Sequence, residues 1–256
     1  MTSSVHGAGV ARPVLFVDAS LQGVQIALVD PLGPAPSRVL WQGAHGDNKG
    51  ALEQVSRLLH EGLQAVGIAA SDLVGLAVGV GPGSFTGIKV ALAFVYGLRS
   101  GVARSLPVLG VSSLEAAARA LAAATGTAVQ VALPATRTHG FVAGSSPFGH
   151  QAARLIDAEA PEPLGPSLAA SRVYITGSWP LLGDVVAAAG AKTPSVLTIE
   201  QLAAAALPEL VKDIVAAWPD GFLQELPAPR YLRLSTAEER LLSEQQAATH
   251  QQKDLS

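Results

Sequence analysis

The segment Gly79-Val80-Gly81-Pro82-Gly83-Ser84-Phe85-Thr86-Gly87-Ile88-Lys89 constrains the fold more than any other stretch of the chain. It stands between Leu73–Val80, which reads as a buried strand from its length and apolar content, and Thr86–Arg99, which reads as a helix. Strand, glycine turn and helix in that order are a building unit of an α/β protein. Two readings of the turn are open. Free N–H groups at the helix N-terminus make it an anion site. Alternatively, the glycines let the chain reverse tightly and Ser84 caps the helix. The phosphate-loop spacing fails, because no Gly-Lys-Ser/Thr follows at the required distance, and the dinucleotide pattern fails because its sixth position is Thr86.

The helix itself is apolar on nearly every side. Ile88, Ala91, Leu92 and Val95 form one side, Val90, Phe94 and Gly97 the other, and only Lys89 and Arg99 are charged. Such a helix is covered twice. One face lies on its own sheet. The other, with a small-residue groove at Ala93 and Gly97, needs a second cover from this chain or from a partner, and the scarcity of charge favours a partner surface.

Around this centre the pattern alternates. Val14–Val17 ends in Asp18, Gln22-Gly23 reads as a hairpin turn into Val24–Val29, and Arg38–Trp41 reads as a third strand. Leu52, Val55, Leu59, Leu63 and Val66 recur at helical spacing. Pro107–Val111 is a strand, and Ser112 with Glu115 has capping-box spacing at the head of an alanine-rich helix to Ala124. The order β-β-β-α-β-α-β-α implies three antiparallel strands followed by parallel ones. The second half reads as a shortened echo: strands at Val129–Leu133, Phe141–Gly144 and Val173–Thr176, a helical stretch to Ala189, and a helix capped by Thr198 and Gln201 that ends near Trp218. The expected organisation is an extension (1–13), a first lobe (14–125), a reduced second lobe (126–235) and a polar tail (236–256).

Composition excludes several chemistries. There is no cysteine, which removes disulfides, thiol nucleophiles and thiolate-held metals. Net charge is -3, so no basic excess grips a nucleic-acid backbone. Only 14% of residues are charged, which fits an apolar surface hidden against a partner. Met1–Arg12 lacks the basic start and apolar core of a signal peptide, and the uncharged run Leu73–Ile88 is broken by Gly and Pro. The expected location is the cytoplasm, with no membrane role.

Gly-Pro-Gly-Ser-Phe-Thr-Gly-Ile-Lys (81–89) resembles the signature of the TsaB family, also called YeaZ, which usually has Arg at the position of Lys89. Leu15–Leu28 with Asp18-Ala19-Ser20, Pro107–Glu115, Ile175-Thr176-Gly177-Ser178-Trp179 and Pro229-Arg230-Tyr231-Leu232-Arg233 resemble further family segments in order. The resemblance implies the two-lobed fold of actin, Hsp70 and sugar kinases, each lobe on a ribonuclease-H-like mixed sheet. It implies a non-catalytic partner of the paralogue TsaD and the ATPase TsaE, in making threonylcarbamoyladenosine at position 37 of tRNA. Homodimers form through the same helices when those partners are absent, and tRNA is met only indirectly. Partner-binding positions would be Leu52, Val55, Leu59, Ser84, Phe85, Thr86, Ile88, Lys89, Leu92, Val95 and Arg99, with Ile88, Leu92 and Val95 as anchors.

Departures bear on nucleotide binding. The family's Asp-Thr-Ser-Thr is Asp18-Ala19-Ser20-Leu21 here, and its Asp-Ala-Arg-x-x-Glu corresponds to Ala135-Thr136-Arg137-Thr138-His139-Gly140, without either carboxylate. Asp18, Ser20, Gly110 and Arg137 are the positions left to serve a nucleotide. No resident cofactor is expected, with ATP and Mg²⁺ confined to a complex interface. The histidines (6, 45, 60, 139, 150 and 250) contain no i, i+4 pair for a metal, and no Gly-x-Ser-x-Gly marks a serine hydrolase. An ATP-using kinase or hydrolase built on Asp18 and the 81–87 loop, and a stand-alone homodimer, are the rival readings. Arg230, Tyr231 and Arg233 form a basic-aromatic cluster that either docks a partner or tucks the chain's end against the core.

Overall fold

Hydrophobic alternation and turn chemistry place two sheets in the computed structural model, which describes residues 12–21, 23–34, 38–46, 50–102, 106–157, 159, 171–176, 179, 181, 183–184, 186 and 194–232. The elements are β1 (Val14–Asp18), β2 (Val24–Val29), β3 (Val39–His45), α1 (Ala51–Val66), β4 (Gly75–Gly79), α2 (Phe85–Val102), β5 (Val108–Val111) and α3 (Ser113–Thr125), with a 3-10 turn at Ala70–Asp72. They continue as β6 (Val129–Pro134), β7 (His139–Ser146), β8 (Gly149–Asp157), β9 (Arg172–Thr176), β10 (Ser195–Leu197) and α4 (Ile199–Ala217).

The first sheet has the order β3-β2-β1-β4-β5, and the second reads β8-β7-β6-β9-β10. In each, the first three strands are antiparallel and the last two join in parallel. The echo in the second half is therefore a repeat of the same topology. β1 and β4 are continuous apolar runs because both faces of that sheet are covered.

The packing is layered. One core joins the inner faces of both sheets through α3 and α4, with Phe16, Ala77, Leu114, Val131, Leu133, Leu202 and Leu210 at its centre. A second lies between the outer face of the first sheet and α1 and α2. A smaller third cluster, centred on Val142, Val173 and Trp179, covers the outer face of the second sheet. Arg119 of α3 pairs with Glu209 and Asp213 of α4, and the Gln25 amide donates to the Ala203 carbonyl at 3.0 Å.

Several expectations need correction. β3 runs beyond Trp41 to His45, and β8 and β10 were not anticipated. All three are edge strands or their ends. They are half-exposed or exposed, so they lack the apolar runs by which buried strands are read. The Ser112 cap is made, its hydroxyl accepting from the Glu115 N–H at 3.5 Å. The Glu115 carboxylate does not reach back to complete a box; it bonds elsewhere, as described below. The Thr198–Gln201 box closes in both directions, at 2.9 and 3.2 Å. The polar tail, the extension and the Gly177-Ser178 turn lie outside the described residues.

Candidate functional site: the glycine turn and its helix pair

The β4–α2 turn is a backbone-to-backbone joint. Gly81 takes φ +90°, a left-handed conformation that excludes most side chains. A Cβ on Gly83 would collide with the Ser20 carbonyl oxygen, and one on Gly87 with that of Ala19. The Ser84 N–H donates to the Ser20 carbonyl at 2.7 Å, while the Ser84 hydroxyl accepts from the Gly87 N–H at 3.1 Å. The glycines thus let the β1–β2 turn press against the start of α2, and Ser84 caps that helix.

Asp18 sits beneath this joint, 2% exposed. It accepts the Ser20 N–H at 2.7 Å, and a Cβ on Gly79 would strike its carboxylate. Burial pushes its pKa above the usual carboxylate range, while the adjacent Ser113 side chain and the Ser20 N–H pull it partly back. Ser20 is fully buried. Gly110 is half-buried, and a Cβ there would meet Pro227. Arg137 alone of the four nucleotide candidates is open to solvent, 3.8 Å from Glu159. The structure therefore does not gather these residues into a pocket. Asp18 and Ser20 are buried residues of the joint, whereas Arg137 is exposed. Among the described residues there is no cluster of three or more His, Asp and Glu able to hold a metal.

α1 and α2 lie side by side on the first sheet. Val55, Leu59, Ile88 and Val95 face inward and are buried, so these expected partner-binding positions, the expected anchors Ile88 and Val95 among them, lie in the chain's own core. The periodicity was right about an apolar side, but that side belongs to the chain's own core. The outward surface carries Leu52 at 56% and Tyr96 at 60% exposure, with Thr86, Lys89, Ala93 and Gly97 also exposed. Leu92 and Arg99 are half-buried; Arg99 donates to the Gln224 side chain at 3.2 Å. A Cβ at Gly97 would meet nothing within 4 Å, so the small-residue groove faces outward.

The C-terminal strap completes the site. The Arg230 N–H donates to the Val80 carbonyl at 2.8 Å, and its guanidinium to Glu115 at 2.8 Å. The same Glu115 oxygen accepts the Ala153 N–H of β8 at 2.8 Å, which links strap, α3 and second sheet. The Tyr231 ring lies 4.7 Å from that of Phe85, and the Lys89 ammonium 4.0 Å from the Phe85 centroid. Leu232 packs on the central core. Of the cluster read from sequence, Arg230 ties the end down through Val80 and Glu115, Tyr231 meets Phe85, and Arg233 lies outside the described residues. A cleft of about 310 Å³ opens beside the strap, between Ser84, Thr86, Ala135 and Phe141. The Phe85–Lys89 contact was missed, although its i, i+4 spacing was the available signal. The Tyr231 contact joins residues far apart in sequence and had none.

Paired sheets of this order, with two helices between them, make a two-lobed α/β fold. Two solved structures from Pseudomonas aeruginosa have this architecture. One is described as YeaZ, 20% identical with a TM-score of 0.62, covering 86% of this chain and 100% of that one. The other is an uncharacterized protein with similarity to peptidase YEAZ, 22% identical with a TM-score of 0.61, covering 87% and 100%. The tRNA threonylcarbamoyladenosine biosynthesis protein TsaB of Escherichia coli (strain K12) is 31% identical over 97 residues, 36% of this chain. The match spans 41% of that relative's length. The family model described as TsaD, tRNA N6-adenosine threonylcarbamoyltransferase, matches residues 48–252. The chain belongs to the family of that model.

Proposed function

We propose that the chain is a non-catalytic subunit of the machinery that attaches threonylcarbamoyl to adenosine 37 of tRNA. It pairs with a TsaD-type paralogue through the outward face of α1 and α2, works with a TsaE-type ATPase, and forms homodimers on the same face when they are absent. The observation that carries this is the division of α2. Its inner side is locked in the core, while Leu52, Tyr96, Ala93 and Gly97 leave an exposed apolar and small-residue surface on the helix pair. Such a surface fits a helical partner.

The absence of catalytic and cofactor roles is part of the same reading. The glycine turn is filled by backbone, Asp18 is buried, and the chain has no cysteine. Contact with tRNA is indirect, in keeping with a net charge of -3. No helix among the described residues is long and apolar enough to cross a membrane, and a cytoplasmic location belongs to this proposal.

The test is co-expression with the TsaD-like protein of the same organism, followed by size exclusion with light scattering. A one-to-one complex that replaces self-association is the expected result. A chain that remains a homodimer beside that protein overturns the pairing. Retention of ATP that is lost in Asp18→Ala would instead favour the kinase or hydrolase reading.

A further inference from the structure

Lys89 is exposed on α2 and has no ion-pair partner among the described residues. A free lysine of this kind ordinarily samples many rotamers, and ordering it costs entropy at the moment of binding. Here its ammonium is held 4.0 Å from the Phe85 ring centroid. The Phe85 ring is half-buried and touches Tyr231 at a centroid distance of 4.7 Å and an interplanar angle of 42°. Tyr231 follows Arg230, which is fixed by the Val80 carbonyl and the Glu115 carboxylate, and precedes Leu232, which packs on the core. The strap thus runs from the core to an unpaired cation on the outward helix face through two rings in tilted contact.

We infer that Tyr231 is a positioning residue: through Phe85 it fixes the Lys89 ammonium on the outward face of α2, where it meets a carboxylate of the partner that pairs there. This inference rests on the pairing proposed above. The neighbouring charges leave Lys89 as the group available for this role. On α1, Arg57 is paired with Glu61, and on α2, Arg99 bonds Gln224. A pre-ordered cation gives direction and register to an otherwise apolar contact.

The experiment measures affinity for the purified TsaD-like paralogue of the same organism at low and high salt. It uses the full chain and the variants Tyr231→Ala, Tyr231→Phe, Lys89→Ala and the double variant Tyr231→Ala/Lys89→Ala. A cation held on an aromatic face implies that Tyr231→Ala weakens pairing roughly three- to tenfold with little change in Tm. Tyr231→Phe keeps the ring and pairs like the wild type. In the Lys89→Ala background, Tyr231→Ala has no further effect, because both act through one contact. The loss in Lys89→Ala shrinks as salt rises.

Additive losses, or a Tyr231→Ala chain that pairs normally, overturn the inference. A second readout needs no partner. The Lys89 ε-methylene protons are shifted upfield by the Phe85 ring and return toward the free-lysine position in Tyr231→Ala. If the wild-type chain ignores the paralogue, the pairing proposal and the partner carboxylate fall together. The resonance still decides whether Tyr231 holds Lys89, and an unmoved resonance overturns that part as well.

Discussion

The two sheets share one strand order, yet the turn beside their central strands is closed by different means. In the first, the Ser20 carbonyl of the β1–β2 turn accepts the Ser84 N–H at 2.7 Å, a backbone joint open only to glycine at positions 83 and 87. In the second, the Arg137 carbonyl of the β6–β7 turn accepts the Trp179 indole N–H at 2.9 Å, and the Trp179 ring lies over Gly140. The donor in each case follows the fourth strand of its sheet, β4 or β9. A backbone joint fixes the first turn of an 18-residue helix, whereas an indole fills space and bonds once. The first sheet therefore presents α2 in a set position. Among the described residues, the second has the small cluster around Trp179 as its outer cover. The pairing proposed above uses the half whose covering helix is fixed by a backbone joint.

The sharpest way to break this comparison is to charge each side of α2 in turn. Val95 is wholly buried between helix and sheet, while Tyr96, its neighbour, is exposed to 60%. Val95→Glu places an unpaired carboxylate in the core and is expected to cost more than about 3 kcal/mol, enough to unfold a marginal protein. Tyr96→Glu is expected to leave Tm within a few degrees and to reduce pairing at least tenfold. Denaturant titration and light scattering read both. A folded Val95→Glu chain that fails to pair would return Val95 to the interface.

A second pair of substitutions compares the two closures directly. Gly83→Ala drives a methyl group into the Ser20 carbonyl and is expected to cost roughly 1–3 kcal/mol or more, as overpacking does. Trp179→Phe leaves the Arg137 carbonyl without its indole donor and is expected to cost about 1–2 kcal/mol. Pairing should weaken in Gly83→Ala, because the start of α2 moves, and persist in Trp179→Phe. Equal effects on pairing would mean that the first joint is no more tied to function than the second.

How much of this was legible in the sequence follows from burial. β1, β2 and β4 are short, apolar and continuous, and their positions were read within a few residues. The half-exposed end of β3 and the exposed β8 carry no such pattern and were missed. At the site, periodicity found α1 and α2 but could not say which apolar side faced the sheet. It therefore offered Ile88 and Val95 as anchors, where Leu52 and Tyr96 are the large residues exposed. The two readings of the glycine turn were indistinguishable in one dimension, because a phosphate cradle and a close backbone approach both ask for glycine. Only the position of the Ser20 and Ala19 carbonyls separates them.

The smallest expected effect tests Asp18, whose carboxylate is in the place where a catalytic group would be sought. It is buried, and burial holds its pKa above the ordinary carboxylate value. An acid with a raised pKa in the folded state contributes stability that is fully present below its unfolded pKa. That contribution is lost as pH rises through the folded value, because the folded chain then carries a charge it solvates poorly. Asp18→Asn retains an oxygen to accept the Ser20 N–H and has no charge to bury. Its Tm should therefore match or exceed that of the wild type at neutral pH, with the gap closing toward acid pH. His45 and Glu200 border the same small cavity as Asp18. Pairing should be unchanged, since the β1–β2 turn keeps its shape. If Asp18→Asn instead abolishes function while Tm rises, the carboxylate serves chemistry that the joint alone does not require, and the two turns differ in more than the way they are closed.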